Sequence, residues 1–173
     1  MYYQVTMKRV LVIGLSGAGK SWLARRMGEK TGLPVIHLDS EYWLPGWTNP
    51  QKRSWVARVR RLVSRKRWIM DGNFGGTQDL RMKRADTIIF LDFPRWRCFL
   101  NVFRRWATYY GRRRPDLAPG CPEQLDFEFL KWVWGFHEKT RPALQKRLRK
   151  FKRGRRIVIL RSPREIRLFL ARI

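Results

Sequence analysis

Short runs of consecutive apolar residues alternate along the chain with segments in which apolar residues recur every three or four positions. The runs at 8–14, 33–39, 67–72, 86–94 and 155–162 are typical of strands buried on both faces of a parallel sheet. Helices are predicted at about 19–31, 94–110, 124–139, 141–151 and 163–173. Another helix is predicted to begin with Asn49 as its N-cap and Pro50 at its first helical position. This alternation predicts an α/β sandwich around a parallel sheet.

Acidic and small residues stand at the ends of the predicted strands. These end residues are Gly14, Asp39, Asp71, Asp92 and Ser162. Ligands of such sheets bind beyond the carboxyl ends of the strands. Burial explains the apolar runs but not the acids that follow them, so we expect the functional site at this edge.

The turn between the first strand and the first helix reads GLSGAGKS and matches G-x-x-x-x-G-K-[ST] in full. Its glycines let the backbone N–H groups form an anion nest, and the helix N-terminus adds its dipole. Lys20 then reaches the β- and γ-phosphates, and the Ser21 hydroxyl can ligate Mg²⁺. The predicted nucleotide-binding residues are Gly14, Leu15, Ser16, Gly17, Ala18, Gly19, Lys20, Ser21 and Trp22.

Trp22 occupies a position where a second small hydroxyl residue is usual. The nest is made of backbone amides, so a bulky side chain at this position need not abolish phosphate binding. One reading, which we favour, is that the ring packs sideways beneath a loop. The other is that the ring crowds the α-phosphate or the nucleoside and lowers affinity.

Two of the strand-end acids suggest specific chemistry. Asp71 can hold Mg²⁺ opposite Ser21, or it can cap the turn that follows. Asp39 can orient or deprotonate an acceptor hydroxyl, or it can cap its loop. Trp43 and Trp47 can wall an acceptor pocket, or they can belong to the core. His37 reads as a buried, hydrogen-bonded residue.

The chain is strongly basic, with 39 Lys and Arg against 13 Asp and Glu and a net charge of +26. Most of the excess lies after residue 50, and such a surface attracts polyanions with a strong salt dependence. The alternative is a solubilising coat on amphipathic helices. Arginines on a loop that closes over the site can also stabilise the negative charge that develops during phosphoryl transfer. The candidates are Arg104, Arg105, Arg112, Arg113, Arg114 and Arg141.

The length of 173 residues suits one domain, 1–173. Apolar runs fall short of the roughly 20 residues of a membrane span, and a signal-peptide pattern is absent from the first residues. Cys98 and Cys121 have no metal-site spacing, so reduced thiols in the cytoplasm are expected. The sequence leaves the oligomeric state open.

The ordered series of segments resembles the P-loop kinase group, and more closely the adenylate-kinase-like proteins identified as DNA topology modulation proteins. The resemblance rests on GLSGAGKS, VIHLDSEYWLPGW, WIMDGNFGGTQDLR, ADTIIFLDFPR, GRRRPD…GCPE…DFEFLKWVW and RIVILRSPREI. It implies a three-layer P-loop NTPase fold with a five-stranded parallel sheet in the order 2-3-1-4-5, ATP and Mg²⁺ as cofactors, and an Arg-rich lid at about 111–123. It also implies an adenine-contacting loop at Arg161, Ser162 and Pro163.

The chain departs from adenylate kinases in two places. MDGNFGG lacks the Pro-Arg pair of the corresponding DGFPR segment, which puts an AMP-like acceptor in doubt. Asn101 stands where the family has an Arg, so Arg104 or Arg105 would have to substitute.

Two functions from different classes follow. The first is a phosphotransferase that moves the γ-phosphoryl group of a nucleoside triphosphate to a small acceptor beside Asp39, Trp43, Asp71, Gly72, Asn73 and Arg81. The second is a nucleic-acid-binding protein that affects DNA topology and uses the nucleotide as a switch.

Overall fold

The computed structural model describes residues 7–112, 114–124 and 126–173. Its strands are β1 (Arg9–Gly14), β2 (Val35–His37), β3 (Trp68–Asp71), β4 (Thr87–Leu91) and β5 (Arg156–Leu160). They form one parallel sheet in the order β2-β3-β1-β4-β5, which confirms the predicted fold class and strand order. The register sets His37 opposite Asp71 and Gly14 opposite Leu91, so the candidate residues meet at one edge of the sheet.

Helices connect the strands. They are α1 (Lys20–Thr31), α2 (Leu38–Tyr42), α3 (Lys52–Val63), α4 (Gln78–Arg84), α5 (Arg95–Tyr109), α6 (Phe127–Lys139), α7 (Arg141–Lys150) and α8 (Pro163–Ala171), with short 3-10 turns at Pro45–Trp47 and Gly75–Thr77. The prediction of Asn49 and Pro50 at the start of α3 is wrong, because that helix begins at Lys52 after the N-cap Gln51. Asp39 lies inside α2 rather than at the end of a strand, because β2 stops at His37.

The central strands are buried along almost their whole length. Every residue of β3 and β4 is buried, and so are the five residues of β1 after Arg9. Consecutive burial requires that both faces of the sheet be covered by helices, which is why these strands read as continuous apolar runs. The edge strand β5 is more exposed, with Ile159 at 38%. The site described below therefore rests on a rigid, close-packed sheet edge.

The lid loop, residues 111–123 without Arg113, is packed against the loop that carries the tryptophans. Leu117, Ala118 and Cys121 of the lid loop are buried. The backbone N–H of Gly46 donates to the Gly120 carbonyl at 2.9 Å, and the Trp47 indole N–H donates to the Pro122 carbonyl at 3.0 Å. These contacts fix the lid loop over the sheet edge.

Over the ranges that the structure describes, no helix combines the length and the apolar character that crossing a membrane requires.

Candidate functional site

The phosphate loop, residues 14–21, can fold as it does because two positions accept only glycine. Gly14 has φ 147° and Gly17 has φ 83°, in the region that L side chains rarely adopt. A Cβ atom at Gly14 would lie 2.5 Å from the Leu91 carbonyl oxygen, and one at Gly17 would collide with the Cys98 carbonyl oxygen. The loop is therefore pressed against the end of β4 and the start of α5.

Two asparagines from neighbouring segments bond to the backbone of the phosphate loop. The Asn73 side chain accepts from the Gly14 N–H at 3.2 Å and donates to the Gly14 carbonyl at 2.8 Å. Asn101 donates to the Gly17 carbonyl at 2.9 Å. Asn73, which we expected beside the acceptor, thus contacts the phosphate loop. Asn101, where adenylate kinases have an Arg, also bonds to this loop.

Lys20, Ser21 and Asp71 come together at the start of α1. The Lys20 ammonium donates to the Leu15 carbonyl at 3.2 Å, and the Ser21 hydroxyl donates to an Asp71 carboxylate oxygen at 2.7 Å. Burial lowers the pKa of Lys20, and the carboxylates of Asp39 and Asp71 partly offset that shift. Asp71 faces the hydroxyl as the magnesium hypothesis requires.

The second carboxylate oxygen of Asp71 lies 2.6 Å from His37 Nδ1, and the His37 side chain is 16% exposed. Burial alone would lower the pKa of His37, but the hydrogen bond and charge of Asp71 raise it. His37 orients the carboxylate, in line with its interpretation as a buried, hydrogen-bonded residue.

The phosphate loop borders a cavity of about 330 Å³, the donor cavity, whose other walls include Trp22, Asp39, Arg105 and Asp116. Trp22 is 43% exposed and lies on the outward face of α1, with the Arg26 guanidinium 5.8 Å from the ring centre. The reading favoured from the sequence, that the ring packs beneath a loop, is wrong because the buried face of α1 is formed by Leu23, Ala24 and Met27.

A second cavity of about 440 Å³, the tryptophan cavity, lies next to the first and is walled by Trp43, Trp47 and Phe129. The two cavities share Ser16, Asp39, Arg105 and Arg114. The rings of Trp43 and Trp47 stand edge to face with centres 5.2 Å apart. A molecule in the second cavity would therefore face the phosphate loop across these shared polar groups.

Asp39 lies at the junction of the two cavities, in the first turn of α2. Burial raises the pKa of Asp39, and the nearby charge of Lys20 opposes that shift. A carboxylate with a raised pKa next to two cavities is a candidate for handling a proton.

Arginines and acids from the lid loop and α5 form a cluster over the junction. Arg105 lies 2.9 Å from Glu123 and also donates to the Ser16 hydroxyl at 3.4 Å. Arg114 lies 3.0 Å from Glu123 and 3.5 Å from Asp116, and the side chains of Arg114 and Glu123 are 8% and 3% exposed. Burial alone would raise the pKa of Asp116, but Arg114 and the Ser21 hydroxyl lower it.

The other arginines that we considered lie elsewhere. Arg104 and Arg112 are exposed and, among the residues described, line neither of the two cavities. Arg141 forms a two-bond ion pair with Asp92, both bonds at 2.7 Å, and this pairing raises its pKa. Arg113 lies outside the described residues. Arg105, unlike Arg104, lines both cavities.

Arg81 has a different position from the one expected beside an acceptor. It is fully buried, and its guanidinium donates to the carbonyls of Gly72, Asn73 and Phe74. Burial lowers the pKa of Arg81 to about 9. Gly72 is equally enclosed, since a Cβ atom there would lie 2.8 Å from the Leu38 Cβ. Both residues shape the turn after β3 that presents Asn73 to the phosphate loop.

The loop expected to contact adenine follows β5 at the same edge of the sheet. Ser162 is the N-cap of α8, where its hydroxyl accepts from the Glu165 N–H at 3.2 Å, and Pro163 is the first helical residue. The geometry explains both residues as a helix start, and their contact with a nucleotide stays a prediction.

Asp116 and Glu123 were missed by the sequence reasoning, although both lie in segments quoted for the resemblance. The available signal was that two acids occur within a lid loop otherwise rich in Arg and Pro. Buried charges are usually paired, so acids within an arginine-rich loop point to ion pairs.

Two solved kinases share the fold of this chain. A gluconokinase from Sinorhizobium meliloti 1021 matches with a TM-score of 0.55 and 19% identity over 95% of this chain and 92% of its own. A shikimate kinase from Acinetobacter baumannii in complex with shikimate matches with a TM-score of 0.60 and 16% identity over 96% of this chain and 90% of its own. The chain thus has the P-loop kinase fold. No protein-family model and no curated protein matches the sequence.

Proposed function

We propose that the protein is an adenylate-kinase-like phosphotransferase that moves the γ-phosphoryl group of ATP to a small acceptor, with Mg²⁺ as cofactor. The observation that carries this proposal is the junction of two cavities at Asp39 and Arg105, one of them bordered by the complete phosphate loop. The fold shared with a gluconokinase and a shikimate kinase supports phosphotransfer as a class. The finer relationship to DNA topology modulation proteins rests on the segments quoted above.

The residues at the start of α1 fit a magnesium ion. The Ser21 hydroxyl and the Asp71 carboxylate already face each other at 2.7 Å, and both are hard oxygen ligands. Mg²⁺ is usually held by one or two protein oxygens together with phosphate oxygens and water, so a larger protein cage is unnecessary. Bound there, the ion would neutralise phosphate charge.

Other residues of the chain would bind the phosphates, handle the acceptor proton and exclude water. Lys20 and the N–H groups of residues 14–21 bind the phosphates. Arg105 holds Glu123 through Nε and Nη2, and its Nη1 is directed at Ser16 of the phosphate loop, where it would stabilise the transferred charge. Asp39 orients the acceptor hydroxyl and accepts its proton. The lid loop, with Arg114, excludes water from the junction.

In this proposal the chain is one kinase-like domain with the lid at about 111–123. Ser162 and Pro163 lie beside the base, and the buried free thiols of Cys98 and Cys121 suit a reducing compartment such as the cytoplasm.

The direct test is calorimetric ATP binding with and without Mg²⁺, followed by phosphoryl transfer to a panel of acceptors. Lys20→Ala is expected to abolish binding, whereas the matched control Lys131→Ala, an exposed lysine on α6, should bind as the wild type does. Equal binding by wild type and Lys20→Ala would reject the proposal.

A second candidate function is nucleotide-regulated binding of nucleic acid with an effect on DNA topology. The observation in its favour is the surface of α3 and the turn after it, where the exposed basic residues are Lys52, Arg53, Arg58, Arg60, Arg61, Arg65, Lys66 and Arg67. Binding to duplex DNA should then weaken with salt, with a log–log slope of roughly 0.9 per phosphate contact. Charge reversal at Arg60 and Arg61 should reduce that slope. DNA binding that does not depend on salt concentration would instead identify the basic residues as a solubilising coat.

A further inference from the structure

We propose that the phosphoryl acceptor is an alcohol without a phosphate or carboxylate group, neutral or positively charged, which binds in the tryptophan cavity. This inference rests on the proposed phosphotransferase function and names its substrate class.

The charge of the tryptophan cavity is opposite to that of the whole chain. Basic residues outnumber acidic ones 39 to 13 in the sequence. Among the residues that the structure describes, the cavity is in contrast lined by three acids, Asp39, Glu123 and Asp126, and by two arginines, Arg105 and Arg114. A site for an anionic acceptor would be expected to draw on the surplus of arginine, and this cavity does the reverse.

Arg105 and Arg114, the two arginines described in the cavity lining, already have carboxylate partners. Glu123 lies 2.9 Å from Arg105 and 3.0 Å from Arg114, so one buried carboxylate engages both guanidinium groups. An acceptor phosphate or carboxylate would compete with Glu123 for these donors and would leave a buried anion without its partners. A phosphorylated or carboxylated acceptor is therefore disfavoured in the arrangement that the structure shows.

The remaining walls suit a polar, non-anionic molecule. The indole faces of Trp43 and Trp47 attract C–H groups and cations, because the ring faces carry negative quadrupole charge. The carboxylates of Asp39 and Asp126 accept hydrogen bonds from hydroxyl or ammonium groups. The lining thus combines aromatic faces with polar groups that can fix the orientation of a bound molecule.

The group transfer balances with the residues present. A bond forms between the acceptor oxygen and the γ-phosphorus. The bond between that phosphorus and the oxygen bridging to the β-phosphorus breaks, and ADP leaves. The hydroxyl proton passes to Asp39, which lines both cavities.

The test compares matched acceptors that differ in charge. Glucose, glucosamine and adenosine represent the class proposed. Gluconate and glucose 6-phosphate are the anionic partners of the two sugars, and AMP is the anionic partner of adenosine. Phosphorylation is followed by product mass spectrometry, and binding to the protein saturated with a non-hydrolysable ATP analogue is followed by calorimetry. We expect a non-anionic member to react with at least tenfold higher kcat/KM than its anionic partner.

Variants at the start of α6 provide a second arm. Asp126→Asn removes a negative charge from the cavity yet keeps a good N-cap for α6, since Asn and Asp cap equally well. It should shift the preference several-fold toward the anionic partner. Glu128→Gln removes the same charge two residues away, outside the residues that line the cavity, and should leave the preference unchanged.

The outcomes separate the inference from the function on which it rests. Absence of ATP binding, or no effect of Lys20→Ala, would refute the phosphotransferase proposal. Normal ATP binding with preferred transfer to gluconate, glucose 6-phosphate or AMP would overturn the present inference alone. The inference would also be overturned if the protein bound ATP but neither bound nor phosphorylated any non-anionic acceptor. Equal effects of Asp126→Asn and Glu128→Gln on the acceptor preference would overturn it as well.

Discussion

The side-chain amide of Asn73 bonds both backbone groups of Gly14, accepting from the N–H at 3.2 Å and donating to the carbonyl at 2.8 Å. Asn73 is itself held by Arg81, whose guanidinium donates to the Asn73 carbonyl. The turn after β3 and the phosphate loop after β1 therefore behave as one unit. A substitution at Asn73 should therefore alter the backbone that is predicted to bind the nucleotide phosphates.

Asn73→Ala is expected to lower the free energy of unfolding by about 1–3 kcal/mol, because partly buried backbone groups lose their partners. ATP affinity should fall as well, since Gly14 begins the anion nest. Asn101→Ala removes a single bond, to the Gly17 carbonyl, and should cost less. Urea unfolding and calorimetric ATP binding measure both effects. An unchanged ATP affinity in Asn73→Ala would show that the nest forms without this clamp.

The phosphate loop could be predicted from sequence because all of its signal lies in eight consecutive residues. The bond from Asn73 to Gly14 could not, since it joins residues 59 positions apart and an amide is not specific to such a role. The strands were predicted from burial on both faces, whereas their order came from the resemblance. The helices α2 and α4 were missed because they have only five and seven residues, too few for a helical period to show.

Asp39→Asn should separate stability from activity. Asp39 has a raised pKa, so the folded protein binds its proton more tightly than the unfolded chain does. The group therefore favours folding at low pH, and this contribution is lost as the pH rises through the pKa of the folded state. At neutral pH the ionised carboxylate is unfavourable in the fold, and Asp39→Asn should be more stable than the wild type.

The stability gain of Asp39→Asn should shrink as the pH falls toward about 4, the ordinary range of an aspartate. Transfer activity should fall by roughly 10²–10⁴-fold if Asp39 handles the acceptor proton. In the wild type, the acidic limb of kcat/KM should lie above the usual pKa range of aspartate, and it should disappear in the variant. Urea unfolding at several pH values and a pH–rate profile test this. A variant less stable than the wild type at neutral pH would contradict the assignment.

Gly120→Ala should undock the lid loop. Gly120 has φ 74°, and a Cβ atom there would lie 2.9 Å from the Pro45 Cβ, where the lid loop contacts the loop that carries Trp43 and Trp47. Gly111→Ala is the matched control in the same loop, with φ 65° and open space around the position. Both should lose about 1–2 kcal/mol from the left-handed conformation, and Gly120→Ala should lose more.

The specific readout for Gly120→Ala is the reactivity of Cys121, which is fully buried and donates to the Leu44 carbonyl at 3.2 Å. Undocking should expose this thiol to alkylation, which peptide mass spectrometry distinguishes from alkylation of Cys98. Equal Cys121 reactivity in the two glycine variants would mean that the Gly120–Pro45 contact does not hold the lid.

Arg105 and Glu123 show where sequence reasoning about the site reached its limit. A set of six arginines was an adequate prediction at the level of residue type, because phosphoryl transfer needs cations. The choice of Arg105 over its neighbour Arg104 depends on which face of α5 points toward Ser16. That direction depends on helix packing, and the pairing with Glu123 depends on how the lid loop folds back, so neither has a local signal.

Trp22→Thr is expected to tighten ATP binding several-fold. The ring lines the donor cavity beside the phosphate loop, so its removal frees volume, and the threonine hydroxyl supplies a donor for the α-phosphate. The free energy of unfolding should fall by about 1–2 kcal/mol, because the side chain is 43% exposed and more than half of its surface is therefore covered in the fold. Arg26→Ala, which removes the cation next to the ring, serves as the control and should leave the affinity near the wild-type value. Weaker ATP binding by Trp22→Thr would instead mean that the indole stacks on the nucleotide, and the bulky residue would then be a binding group rather than an obstruction.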